Sequence, residues 1–223
     1  MSKKSKRCVI IANGDAPSTQ TVQHWLRDGD TLICADGGCQ VALTQGLRID
    51  HAIGDFDSLL EADLIRMQAL GVAILRHPIH KNETDLELAL QLAKSLDPAD
   101  IVVLGALGGR LDHEMANLML LAMPELKDTS VLIAGEGIEI HAIDARQQTA
   151  TLHLRGHAGE TVSLIPLGGD AQGIVTHGLY YPLHHEALLV GPARGMSNVM
   201  TEDQVKIDVA AGLLLCIHHL KLI

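Results

Sequence analysis

Aromatic residues are almost absent from this 223-residue chain, which has one Trp, one Phe and two Tyr. Any base stacking must therefore rest on very few side chains. Basic residues are short as well. Against 27 Asp and Glu there are 17 Lys and Arg, and the formal net charge of -10 leaves no broad cationic surface for a phosphate backbone. Cys8, Cys34, Cys39 and Cys216 form no CxxC pair, so neither a disulfide framework nor a zinc ribbon is indicated. Three of them, Cys8, Cys34 and Cys216, sit in apolar runs and read as buried free thiols of a reducing compartment. Long hydrophobic runs are missing too. The run at 8–12 is too short for a signal-peptide core and breaks at Asn13-Gly14, and no segment is long enough to span a bilayer. The expectation is a soluble cytoplasmic protein with no membrane or nucleic-acid partner. Two phosphate-binding patterns are also absent: GxxxxGK[ST] occurs nowhere, and no GxGxxG follows the first apolar run.

What is present is a change of texture halfway along. Short aliphatic runs at 7–12, 30–35, 51–53, 72–75, 100–104 and 130–134 read as buried strands, with helical patterns between them. Two helix starts carry an S/T-x-x-E signal, Ser58 with Glu61 and Thr84 with Glu87. Alternation of this kind predicts a parallel sheet with helices on both faces. Beyond about residue 138 the pattern turns to period-two segments at 149–154, 161–167, 174–180 and 205–209, broken by Gly and Pro, which predicts an antiparallel β-sandwich. The fold class is therefore α/β plus all-β, with an α/β domain over 1–140 and a β-sandwich over 141–223; the boundary falls within 136–146.

Polar clusters follow the predicted strands of the first half: Asn13-Gly14-Asp15, Asp36-Gly37-Gly38, Gly54-Asp55-Phe56-Asp57-Ser58 and the segment 105–112. In an open parallel sheet, loops at the carboxyl ends of the strands share one crevice. Asp36, Asp55, Asp57 and Asp85 would gather there, and close carboxylates require protons or cations to neutralise them. Hard divalent cations with oxygen ligands answer that need, and Mg²⁺ commonly arrives with phosphate. Arg110, after Gly108-Gly109, offers a fork of donors for a polyphosphate. Asp112 and His113 lie in the same predicted loop. Each motif alone has a plainer reading, as helix cap, turn glycine or first-turn acid, and only their convergence carries weight. The histidines, 13 in all, show no metal-ligand spacing and read as surface or structural groups.

The ordered set Ala35-Asp36-Gly37-Gly38, Ile53-Gly54-Asp55-Phe56-Asp57-Ser58, Lys81-Asn82-Glu83-Thr84-Asp85-Leu86-Glu87 and the 105–113 run ending in Gly109-Arg110-Leu111-Asp112-His113 closely resembles the thiamine pyrophosphokinase family. Later segments, Gly178-Leu179-Tyr180-Tyr181-Pro182-Leu183 and Gly195-Met196-Ser197-Asn198, resemble its carboxy-terminal domain. The resemblance implies transfer of pyrophosphate from ATP to the thiamine hydroxyl, with Mg²⁺ as cofactor, and a homodimer with active sites between subunits. It implies Asp55, Asp57 and Asp85 at metal and phosphates, Asp36 with Gly37 and Gly38 beside the nucleotide, and Thr84, Arg110, Asp112 and His113 on the ATP side. Ser197 and Asn198 would line the thiamine pocket with Asp85 facing both substrates. Around Ser197 stand Met196, Val199 and Met200, so a methionine, or Tyr180 or Tyr181, is left to cover the thiamine rings. Rival readings are a metal-dependent nucleotide pyrophosphohydrolase and a non-catalytic sensor.

Overall fold

The computed structural model describes residues 7–221. It divides into two compact units, Met1–Glu136 and Gly137–Ile223. The first carries strands β1 (Cys8–Ile11), β2 (Thr31–Ala35), β3 (His51–Gly54), β4 (Ala73–Arg76), β5 (Asp100–Leu104) and β6 (Ser130–Gly135). Between them run helices α1 (Thr19–Trp25), α2 (Gly38–Thr44), α3 (Glu61–Ala69), α4 (Asp85–Ser95) and α5 (Leu111–Leu120). These strands pair in parallel in the order β6-β5-β1-β2-β3-β4.

Alternation along each strand sends its side chains to two helical layers. On one face, Val9, Ile11, Leu32, Cys34, Ala52, Val102 and Leu104 pack with Val22, Cys39, Ala42, Leu64 and Met67 of α1, α2 and α3. Ile10, Ile33, Ile53, Ile101 and Ile133 point the other way and are also buried, where α4 lies over β1, β2 and β3. Each such burial contributes roughly 1.5–3 kcal/mol. Strands covered on both sides show runs of apolar residues rather than alternation, which is why they were readable from sequence.

The two capping signals part company. Thr84 does cap α4, its Oγ1 accepting the Glu87 N–H at 3.2 Å. Ser58 does not cap α3, which starts at Glu61 with Leu60 as the capping residue and no side-chain bond. The Ser58 hydroxyl turns instead to Asp36. A second difference concerns Asp112 and His113, which belong to the first turn of α5 rather than to the loop before it.

The second unit consists of β7 (Ile138–Ala145), β8 (Ala150–Arg155), β9 (Thr161–Pro166), β10 (Ala171–His177), β11 (His184–Leu188), β12 (Asn198–Val199), β13 (Gln204–Val209) and β14 (Gly212–His219). Two antiparallel layers form, β12-β9-β14-β7 and β11-β10-β13-β8. Their facing side chains, including Ile143, Val162, Leu164, Leu214 and Cys216 against Leu154, Ile174, Val205, Ile207 and Val209, make one core. That is a sandwich. The strand expected at 174–180 ends at His177, because Gly178 takes φ 79° and turns the chain.

One end of this core is charged. Register places His218 of β14 opposite Glu139 of β7, two residues beyond the buried Cys216. His218 is fully buried, and its Nε2 donates to Glu160 Oε2 at 2.7 Å, since a carboxylate only accepts. Its Nδ1 lies 4.0 Å from Glu139 Oε2, which also meets His141 Nε2 at 3.1 Å. Burial disfavours the imidazolium, but the two carboxylates outweigh it and hold the His218 pKa above its ordinary value. Glu139 is likewise opposed by burial, yet the two histidines pull it down to about 2. Glu160 is lowered too, burial being outweighed by the Lys221 and His157 backbone N–H groups and by His218.

The sign of the pH dependence follows. Stabilisation from protonated His218 is complete below its unfolded pKa of about 6.5 and is lost as pH rises through the elevated folded value. The two depressed carboxylates stabilise above about 4.3 and lose that contribution as pH falls toward their folded values. Melting scans between pH 5 and 9 are expected to show an alkaline decline that His218→Gln flattens. An identical decline in the variant would contradict the assignment.

Candidate active site

Strand order in the first unit reverses between β1 and β5, and the loops after those strands interlock at that point. Gly14 donates its N–H to Gly105 O at 2.7 Å and Asp15 to Leu107 O at 2.8 Å. Gly108 suits this turn at φ 90°, and a Cβ on it would stand 2.0 Å from the Asp15 carboxyl carbon and displace that side chain. Open sheets bind ligands at such a switch point.

Carboxylates from the next two loops gather beside it. Asp36 follows β2 in a left-handed conformation at φ 43°, and Phe56 does the same after β3 at φ 60°. Strained backbone of this kind persists where surrounding structure fixes it, often at functional sites. Phe56 is buried in the core, which leaves its neighbours Asp55 and Asp57 free of it. One oxygen each from Asp36, Asp55 and Asp57 lies within 4.8 Å of the others. Asp36 is only 7 % exposed, accepting from Asn13 Nδ2 at 3.2 Å and Ser58 Oγ at 3.3 Å. Burial, then Asp85 and Asp55, push its pKa up, against the opposing Gly37 N–H and Ser58. A fourth acidic position, Asp85, opens α4.

Lys81 had no role in the sequence reading, yet it stands among these acids. Its Nζ is 3.0 Å from Asp85 Oδ1 and 3.4 Å from Asp55 Oδ2. Burial opposes the ammonium, but hydrogen bonding and attraction from Asp85 and Asp55 raise its pKa, so it stays charged. The four-residue spacing from Asp85 was visible in sequence; the partner 26 residues away was not. Asp85 Oδ1 is buried and is held by the Lys81 ammonium, 3.0 Å away.

The donor set fits a hard cation. Three carboxylates around one point, with Lys81 as the partial counter-charge, match the oxygen preference of Mg²⁺. Gly37 and Gly38 make the approach possible: a Cβ at Gly37 would meet Asn13 Oδ1 at 2.0 Å, and at Gly38 the Ile11 carbonyl at 2.0 Å.

Arg110 precedes α5 and is fully exposed, paired fork-to-carboxylate with Asp112 at 3.1 and 2.6 Å. The guanidinium holds the Asp112 carboxyl below its usual range. Solvent screens so exposed a pair, and an incoming phosphate can displace Asp112 at little cost. His113 is exposed on the first turn of the same helix.

In the second unit a cavity of about 360 Å³ is lined by Leu164, Tyr181, Pro182, Arg194, Met196 and Asn198, among others. Asn198 is buried and its amide is already used, Nδ2 donating to Tyr181 O at 2.7 Å and Oδ1 accepting Tyr181 N–H at 3.0 Å. It builds the wall, with Oδ1 and one Nδ2 hydrogen committed to the Tyr181 backbone. Ser197 precedes it at φ 56°, with its N–H on Ser163 Oγ at 3.0 Å. Tyr181 is 65 % exposed and meets Tyr180 edge to face at 4.8 Å.

An α/β unit with acidic loops at the carboxyl ends of its parallel strands belongs to the class of open-sheet proteins that bind small ligands at that edge. The comparisons narrow the class. Residues 22–133 match the thiamin pyrophosphokinase catalytic domain, and residues 141–214 match the thiamin pyrophosphokinase vitamin B1 binding domain. The chain belongs to the thiamine pyrophosphokinase family. It is 25 % identical over 208 residues to the thiamine pyrophosphokinase of Bacillus subtilis, covering 93 % of this chain and 96 % of that one. It is 27 % identical over 204 residues to thiamine pyrophosphokinase 1 of Oryza sativa subsp. japonica, covering 82 % and 76 %. The crystal structure of the Bacillus subtilis enzyme superposes with a TM-score of 0.84 at 24 % identity over 97 % of this chain and 100 % of that one. Yeast thiamin pyrophosphokinase gives 0.74 at 17 % identity, over 97 % and 87 %. Among the described residues no helix is long and apolar enough to cross a membrane.

Proposed function

We propose that the chain moves a pyrophosphoryl group from ATP to the hydroxyl of thiamine, giving thiamine pyrophosphate and AMP. The observation that carries the reading is the Asp36–Asp55–Asp57 cluster at the carboxyl edge of the parallel sheet, in a chain whose two halves match the two family domains. Asp36, Asp55 and Asp57 would hold Mg²⁺, with Asp85 beside them. The cation would neutralise phosphate charge as it develops. Lys81 keeps the acids from repelling one another and offers a further positive group to the polyphosphate. Gly37, Gly38 and Thr84 border the nucleotide, and Arg110, released from Asp112, clamps phosphate near His113.

The thiamine oxygen attacks the β-phosphorus, the bond from that phosphorus to the oxygen it shares with the α-phosphorus breaks, and AMP leaves. Positioning and charge stabilisation supply most of the acceleration in such transfers. The hydroxyl proton passes to Asp85, which Lys81 holds in place. Asn198 lines the acceptor cavity, with Ser197 beside it in the chain, and Tyr181, another lining residue, would cover a ring there. We assign the active unit as a homodimer, as the family resemblance implies, in a reducing cytoplasm that suits four buried free thiols.

Incubation with ATP and Mg²⁺, with and without thiamine, tests the proposal. AMP and thiamine pyrophosphate are expected to appear together and only with thiamine. Thiamine-independent AMP release would instead identify a pyrophosphohydrolase, and no AMP at all a sensor.

A further inference from the structure

We infer that the buried Glu160–His218 pair is a positioning device for the acceptor pocket, setting the wall that carries Ser197 and Asn198. The inference rests on the reading that the cavity of the second unit receives thiamine.

That wall is a short ribbon laid along β9 and its approach. Leu164 donates its N–H to Gly195 O at 2.8 Å, Ser197 donates to Ser163 Oγ, and β12 pairs Asn198 with Val162 and Val199 with Thr161. The ribbon closes at Met200, whose N–H reaches Glu160 O at 2.9 Å while its carbonyl accepts from Gly159 at 2.7 Å. Glu160 is thus the last rung, so anchoring its side chain helps to anchor the end of the ribbon.

The side chain is fixed on every side. Glu160 Oε2 accepts from His218 Nε2 at 2.7 Å and from the His157 N–H at 2.9 Å, and Oε1 accepts from the Lys221 N–H at 2.9 Å. Glu160 is 2 % exposed and His218 0 %. A hydrogen-bonded charge pair buried this fully costs several kcal/mol of desolvation per ion, and hydrophobic replacements of similar shape are often as stable. Stability is therefore a weak reason for its presence, whereas setting geometry at the ribbon is a sufficient one. Gly156 closes the site from β8: a Cβ there would lie 2.3 Å from Glu160 Oε2 and 2.7 Å from the His218 ring. On the other flank Glu139 and His141 continue the network. From the ribbon the effect reaches the cavity directly, because Asn198 holds the backbone of Tyr181 at both ends of its amide.

The test compares wild type with Glu160→Gln, His218→Gln and Gly156→Ala, the last keeping both ionisable groups while pushing them apart. Each folded variant is expected to raise the KM for thiamine about tenfold, with the KM for MgATP within twofold of wild type. The Glu160→Gln, His218→Gln double variant should do no more than either single one. Hydrogen exchange supplies a second readout independent of turnover: the amides of 197–200 should exchange faster in the variants, with β2 and β5 unchanged. Unaltered exchange at 197–200, or equal rises in both KM values, would overturn the inference. If wild type turned over no thiamine, the pocket reading would fail while exchange still decided whether the pair holds the ribbon.

Discussion

Asp36→Asn is expected to lower turnover on the order of 10²–10³-fold while leaving the protein at least as stable as before, because the charge it removes serves the ligand and not the fold. Asn tolerates the left-handed backbone at φ 43° almost as well as Asp, so the substitution tests charge rather than conformation. In the folded protein this carboxyl is buried beside Asp55 and Asp85, and its pKa is raised accordingly. Removing it relieves that repulsion. A gain of about 1 kcal/mol would raise the melting temperature by roughly 2–4 °C. Asp55→Asn and Asp57→Asn, which are more exposed, should match the loss of turnover, and each should demand more Mg²⁺ for half-maximal rate. Wild-type turnover in Asp55→Asn, measured at saturating ATP and thiamine, would remove the cluster from the mechanism.

Gly38→Ala should act on the fold. The added Cβ would stand 2.0 Å from the Ile11 carbonyl oxygen and 2.7 Å from its carbon, both main-chain atoms of the buried strand β1. Neither can swing aside as a side chain would. Overpacking in a core costs about 1–3 kcal/mol when side chains yield, and a clash with backbone lies at or beyond the top of that range. The expected result is a melting temperature lower by on the order of 6–12 °C, or failure to accumulate as folded protein. Gly109→Ala is the control. Nothing lies within 4 Å of a Cβ there, and the strain of its φ of 85° is the sole penalty, about 1–2 kcal/mol. Equal melting temperatures for wild type and Gly38→Ala would mean that β1 and α2 do not approach as described.

The parts of the molecule that sequence made legible are those whose cause is local. Aliphatic runs marked all six strands of the parallel sheet, and Thr84 capped α4 because its N–H partner lies three residues on. Ser58 carried the same local signal and failed, since Asp36, 22 residues back, competes for its hydroxyl. Lys81 was hidden for the same reason, as its meaning depends on Asp55 from another strand end. In the sandwich, β14 reads Gly-Leu-Leu-Leu-Cys-Ile-His-His, with no period of two to announce a strand. Its histidines read as surface or structural groups, with no partner indicated. His218 is fully buried because Glu160, 58 residues away, supplies the partner that makes burial tolerable. The acidic cluster was legible because parallel topology delivers every strand's carboxyl end to one edge, a global rule that short motifs can invoke.

The most direct measurement follows a labelled phosphate. With ATP carrying ³²P at the β-position, Mg²⁺ and thiamine, the label should move wholly into thiamine pyrophosphate, with one AMP formed for each molecule made and none of either without thiamine. Label found in free pyrophosphate or orthophosphate, at a rate indifferent to thiamine, would contradict pyrophosphoryl transfer to this acceptor.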